Sequence, residues 1–214
     1  VFPYFSSELS SREIPHGVTI ELLSEMKSDL IPSTLKLEGE IFNATNTAHL
    51  TGGLSIIIAA KTIVEKPIQI IHVLKGDQVI SNFRTIIKAE KFSKSAIVQG
   101  FFAEDGEANF CNNVTEVSVE ENAFLTIDKI QYESEQSFHV NTEEVQQDKN
   151  SNFTINTFTL NGGIVRNNLH INVNGENCES HLNGAYLLKN KQHVDNHTIV
   201  DHKVPNCESF ELYK

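Results

Sequence analysis

Tryptophan is absent from this 214-residue chain, methionine occurs once, and cysteine and arginine occur three times each. Each scarcity excludes something. Nucleic-acid binding rests on Lys and Arg neutralising phosphates, but here 17 Lys+Arg face 28 Asp+Glu, for a formal net charge of −11 and a pI near 5.2. Such a balance suits neither nucleic acid nor an anionic membrane surface. No run approaches the ~18 apolar residues of a membrane span; the longest, Leu54 to Ala60, is interrupted by Ser55 and reads as a buried strand. Cys111, Cys178 and Cys207 are an odd, widely spaced set, so neither a disulfide framework nor a zinc knuckle is expected. A reducing cytoplasm is the compartment that follows. Four Asn-x-Ser/Thr sequons (Asn43, Asn113, Asn152, Asn196) read as chance matches in a chain with 21 asparagines. The start at Val1 shows no basic leader pattern and no Met, which reads as a fragment of a longer protein.

What is present is strand texture. Hydrophobic residues make up 39% and charged residues 21%, the mixture of a folded domain that buries a core. Residues 17–31 carry a helical period through Ile20, Leu23, Met26, Leu30 and Ile31. From Gly52 the runs LSIIIAA, PIQIIHV, QVISNFRTIIK and SAIVQGFF are rich in β-branched residues and separated by Lys, Gly, Asp or Pro. Residues 133–150 are polar and acidic and fit a helix or a long loop. Strand texture then returns in FTINTFTL, IVRNNLHINV, CESHLNGAY and VDNHTIVDH. Asn-Gly pairs begin at 161, 174 and 183, each expected to close a strand, because both residue types tolerate the left-handed conformation. Twelve of the asparagines lie after residue 150. Short strands with asparagine-rich corners fit a parallel β-helix whose corners stack into ladders; an antiparallel sandwich also fits the pattern.

Candidate chemistry gathers late in the chain. On a strand, His193, Asp195 and His197 share one face and step by ~6.6 Å per pair, so two imidazoles could hold a metal with the carboxylate as ligand or orienter. A solvated polar face is the plainer reading. His202 and Cys207 flank Pro205 across an expected corner, where an imidazole and a thiolate could bind iron or sulfur species; a surface histidine and a buried thiol are the alternative. Cys111 and Cys178 read as small buried hydrophobes. Arg166, scarce in kind, reads as half of a structural ion pair. The pairs Glu120-Glu121 and Glu143-Glu144 read as solvated faces. Gly162-Gly163 lacks the Lys-Ser/Thr of a phosphate loop, and no nucleophile elbow, His-Glu-x-x-His or Cys-x-x-Cys occurs.

Gly163, Arg166 and Leu169, then Gly175 and Gly184, then His193, Asp195, Thr198, His202, Ser209 and Lys214 together resemble the SufD side of the SufB/SufD family, scaffold subunits of the SUF iron–sulfur cluster assembly machinery. The stretch Phe42 to Ala48 resembles that family's Asn-Thr-Ala segment. The resemblance implies a mainly β fold, a right-handed parallel β-helix spanning 51–214 behind a mixed, helical lead-in over 1–50. It implies a scaffold without catalysis of its own, partnered by SufB-like and SufC-like subunits. No cofactor is held firmly, and an iron–sulfur cluster is held transiently in the complex. The family's Cys/His-bearing segment and SufC-binding helices would follow Lys214. Gly163, Arg166, Gly175, Gly184, Ser209 and Lys214 are then structural motif residues. Two other readings remain beside it: a carbohydrate-active β-helix, weakened by the absence of Trp and the presence of only four Tyr, and a self-associating β-helix that forms homodimers through an open end.

Overall fold

The computed structural model describes residues 14–25 and 35–214. A first strand, β1 (Val18–Leu22), leads into a 3-10 turn (Leu23–Glu25), and a helix follows, α1 (Ile41–Ala48). From there the chain winds as a parallel β-solenoid of six coils, each contributing two strands. The coils are β2 (Gly52–Ile58) with β3 (Ile68–Leu74), β4 (Ile80–Ala89) with β5 (Lys94–Ala103), and β6 (Phe110–Val119) with β7 (Phe124–Tyr132). They continue with β8 (Phe138–Gln147) and β9 (Asn152–Asn161), β10 (Ile164–Val173) and β11 (Glu179–Tyr186), and β12 (His193–His202) and β13 (Glu208–Tyr213).

The even strands stack in one sheet, with β1 added antiparallel to β2, and the odd strands from β3 to β13 stack in the other. Residues paired across neighbouring coils lie 26 (Phe138 and Ile164) to 31 (Gly52 and Phe83) positions apart. In a parallel pair, aligned residues face the same way, so each inward position becomes a ladder along the solenoid. Ile56, Ile87, Val117, Val145, Ile171 and Val200 form one such ladder. Ile68, Ile97, Ile127, Ile155 and Leu182 form its counterpart in the other sheet. Each fully buried side chain of this kind stabilises the fold by ~1.5–3 kcal/mol, and β-branched residues suit the pleated surface.

The corner between the two strands of every coil is left-handed at one residue: Lys61, Phe92, Asn122, Asn150, Asn177 and Asn206, with φ of 56–64°. Asn150 donates to Asn122 and Asn177 donates to Asn150, each at 3.1 Å, so three of these corners form a hydrogen-bonded ladder. The expected stacking of asparagines is present, but at different asparagines. The Asn-Gly pairs do not all close strands: Asn183-Gly184 lies inside β11.

Two sequence expectations are corrected. The helical period over 17–31 does not give a helix where it is described, because Val18–Leu22 is a strand and Leu23–Glu25 a 3-10 turn. The segment VTIEL also alternates with period two, and the free edge of β2 offers backbone partners that an isolated helix lacks. Met26, Leu30 and Ile31 lie outside the described residues. The lead-in helix is instead α1, over the Asn-Thr-Ala stretch. Residues 133–150, read as helix or loop, contain β8.

Candidate functional site

The solenoid is not apolar throughout. Toward one end of the cross-section the inward ladders turn polar through the middle and later coils: Asn113, Asn141, Asn167 and Asn196 align in one sheet, and Gln99, Lys129 and Thr157 in the other. Lys129 Nζ lies 2.8 Å from Glu143 Oε1, with each side chain only 1% exposed. Asn141 also donates to that oxygen. Asn113 donates to Asn141 at 2.8 Å, and Gln131 to Asn167 at 3.0 Å. Glu143, expected on a solvated face, is therefore wholly interior. Its neighbour Glu144, also buried, faces outward and pairs with His170 at 2.7 Å. The low-dielectric interior makes such a network strong when satisfied.

At the far edge of this polar column Cys111 and His139 sit side by side on β6 and β8, facing inward. Glu133, just past β7, reaches in from the other sheet and places Oε2 at 2.5 Å from His139 Nδ1. All three are buried, and a donor atom from each lies within 4.8 Å of the others. Burial by itself would lower the His139 pKa, but Cys111 and Glu133 outweigh it and push the pKa up to about 10. Phe101 packs edge-on against His139 and stacks on His72, whose pKa burial and the His139 charge lower to about 3. Cys111 is buried as the sequence implied, but its setting is polar on one side. Nothing in linear spacing joins residues 111, 133 and 139; the coil repeat does.

The residues singled out near the C-terminus occupy the last coil. His193, Asp195 and His197 share the outward face of β12, as a strand requires. There Arg166 of β10 donates from Nη1 to Asp195 Oδ2 at 2.6 Å, and His197 lies edge-on to His170 with ring centroids 6.2 Å apart. Among the described residues, Cys111, Glu133 and His139 are the one set of three or more His, Cys, Asp or Glu whose donor atoms converge. His202 lies 2.8 Å from Ser209 Oγ through Nε2, while Cys207 faces the Gly175 carbonyl at 3.3 Å. Cys178 is buried and directs its thiol to the Asp148 and Gly175 carbonyls, each at 3.0 Å.

Residues 72–214 match the family described as SUF system FeS cluster assembly, SufBD core domain. The chain belongs to the SufBD core family. Its relatives include the iron–sulfur cluster assembly SufBD family protein of Synechocystis, 24% identical over 228 residues that cover 99% of this chain and 50% of that protein. The chloroplastic protein ABCI7 of Arabidopsis thaliana is 30% identical over 138 residues, 63% of this chain and 29% of that one. The iron–sulfur cluster assembly protein SufD of Escherichia coli is 22% identical over 153 residues, 70% of this chain and 36% of that one. The chain spans about half the length, or less, of these relatives.

Within this SufBD core the motif residues have packing roles. A side chain at Gly184 would strike the Tyr213 ring of the next coil, and one at Gly175 would strike the Lys149 backbone. Both positions need the missing Cβ for close approach rather than for a left-handed φ. Gly163 donates its N–H to the Ser137 carbonyl at 3.0 Å, and Arg166 forms the expected ion pair. Ser209 aligns with buried Ser180, and Lys214 closes the last pairing with Gly184 through its N–H at 3.0 Å. The Asn-Thr-Ala segment fastens α1 to the solenoid: Asn46 donates to the Phe83 and Asn112 carbonyls at 3.0 and 2.8 Å. Arg84 donates in turn to Asn46 and Thr47.

Proposed function

We propose that this chain is the core of a SufD-type scaffold subunit, which acts without catalysis of its own in a complex with a SufB-like subunit and a SufC-like ATPase. The iron–sulfur cluster is the cargo of that complex. The observation that carries the reading is the family match over 72–214, which coincides with five of the six coils and part of the first. The SufD-side choice rests on the motif residues between Gly163 and Lys214 and on the likeness to a relative named SufD. The cytoplasm is the proposed compartment, because three free thiols call for a reducing one.

The test is co-expression of the full-length protein with SufB-like and SufC-like partners, followed by size-exclusion chromatography with mass determination. A stoichiometric complex containing all three is the expected result. A protein that ignores both partners overturns the reading, whether it runs as a monomer or as a homodimer.

A further inference from the structure

We propose that Cys111, Glu133 and His139 form a resident site for a borderline divalent transition-metal ion, of the Zn²⁺ class, inside the solenoid. The proposal stands apart from the scaffold reading and does not require it. Its basis is convergence: a thiol, a carboxylate and an imidazole, all buried, offer donor atoms within 4.8 Å of one another. In a tetrahedral site with bonds of ~2.0–2.3 Å the donors lie roughly 3.3–3.8 Å apart, so small side-chain adjustments suffice. The set mixes one soft, one borderline and one hard donor. That mixture suits zinc or ferrous iron, whereas magnesium and calcium take oxygen alone.

Charge supports the same conclusion. A thiolate and a carboxylate together carry two negative charges, which a divalent ion neutralises in a place where unpaired charge is costly. A second observation points to a ligand: His139 Nε2 is buried and has no hydrogen-bond partner, which is uncommon for a buried ring nitrogen. Phe101 against the ring, with Leu74 in the same small cluster, gives the site an apolar wall. Three protein donors leave one tetrahedral position for a small exogenous donor such as water.

The test uses Co²⁺, whose thiolate charge-transfer and tetrahedral d–d absorption report the ligands directly. The full chain is expressed in minimal medium with cobalt supplied in place of zinc and purified under reducing conditions. The metal content is measured together with the spectrum. The expected result is about one Co²⁺ per chain with a thiolate charge-transfer band. Cys111→Ser abolishes the band, while Cys178→Ser and Cys207→Ser keep it. Glu133→Gln, close to the same shape, lowers cobalt retention by roughly tenfold or more and serves as the deciding variant if Cys111→Ser does not fold. A folded wild-type chain without bound cobalt, or a band that follows Cys207 instead of Cys111, overturns the proposal.

Discussion

Lys129 and Glu143 show what a single pair of residues contributes when the fold closes over it. Their Nζ and Oε1 atoms stand 2.8 Å apart with both side chains nearly inaccessible. Removing one partner strands a buried charge, so Lys129→Met should destabilise the protein by ~3–5 kcal/mol, whereas the double change Lys129→Met/Glu143→Leu should restore most of that. Chemical denaturation of the three proteins measures it; equal losses in the single and double variants would refute the assignment. His170 gives a pH dependence of known sign. The Glu144 hydrogen bond raises its pKa, against burial. A raised folded-state pKa adds stability that is complete below about 6.5, the unfolded value, and is lost as pH rises through the folded one. Melting temperature should therefore fall less between pH 6 and 9 in His170→Gln than in the wild type, and parallel curves would show that the pair contributes nothing.

At the scale of elements, α1 is held to the sheet by a few polar contacts instead of a large apolar face. Asn46 alone donates to two carbonyls on different coils and accepts from Arg84 at 3.2 Å. Asn46→Ala removes all three bonds and leaves Arg84 Nε without this acceptor, at a cost of ~1–3 kcal/mol, with faster hydrogen exchange across α1 as the local readout. Similarly, the corner ladder assigns Asn150 two tasks, a left-handed φ of 56° and hydrogen bonds to Asn122 and Asn177. Asn150→Gly retains the first and loses the second, so it should cost less than Asn150→Ala, whose Cβ opposes that conformation by ~1–2 kcal/mol. Thermal melts of the two variants rank them, and an equal loss would mean that the backbone conformation does not matter there.

The whole molecule is a stack in which each coil touches its neighbours, so stability accumulates along one dimension. Its last coil is half covered: β12 pairs with β10 and β13 with β11, and each has that single strand neighbour among the described residues. A polypeptide of these 214 residues should associate through that edge in a concentration-dependent manner. The N–H of Glu208 at the start of β13 donates to the Cys178 carbonyl just before β11, and that of Lys214 just past β13 donates to the Gly184 carbonyl, which places the odd-numbered N–H groups of β13 on the open side. Glu211→Pro removes an outward N–H and spares the inner ladder, so it should shift the mass toward monomer without unfolding the coil. Light scattering over a dilution series decides; a monomer at every concentration would end the expectation.

The texture was legible in the residues alone: short β-branched runs, asparagine at corners, and an acidic balance unsuited to nucleic acid. The sequence also carried the family, through Gly163, Arg166, Gly175, Gly184 and the His193 to Lys214 stretch. The alternation of His193, Asp195 and His197 was legible because strand periodicity is local. The burial of Glu143, the strand over 138–147 and the meeting of Cys111, Glu133 and His139 were not. A polar residue on an inward face reads as solvent-facing until its partners are known, and those partners lie one coil away, roughly thirty positions along the chain or across the lumen in the other sheet. Only the tertiary structure brings them within hydrogen-bonding distance. The physical reason is that a solenoid converts a long, unequal sequence spacing of 26 to 31 residues into direct contact, and a local pattern carries no record of that conversion.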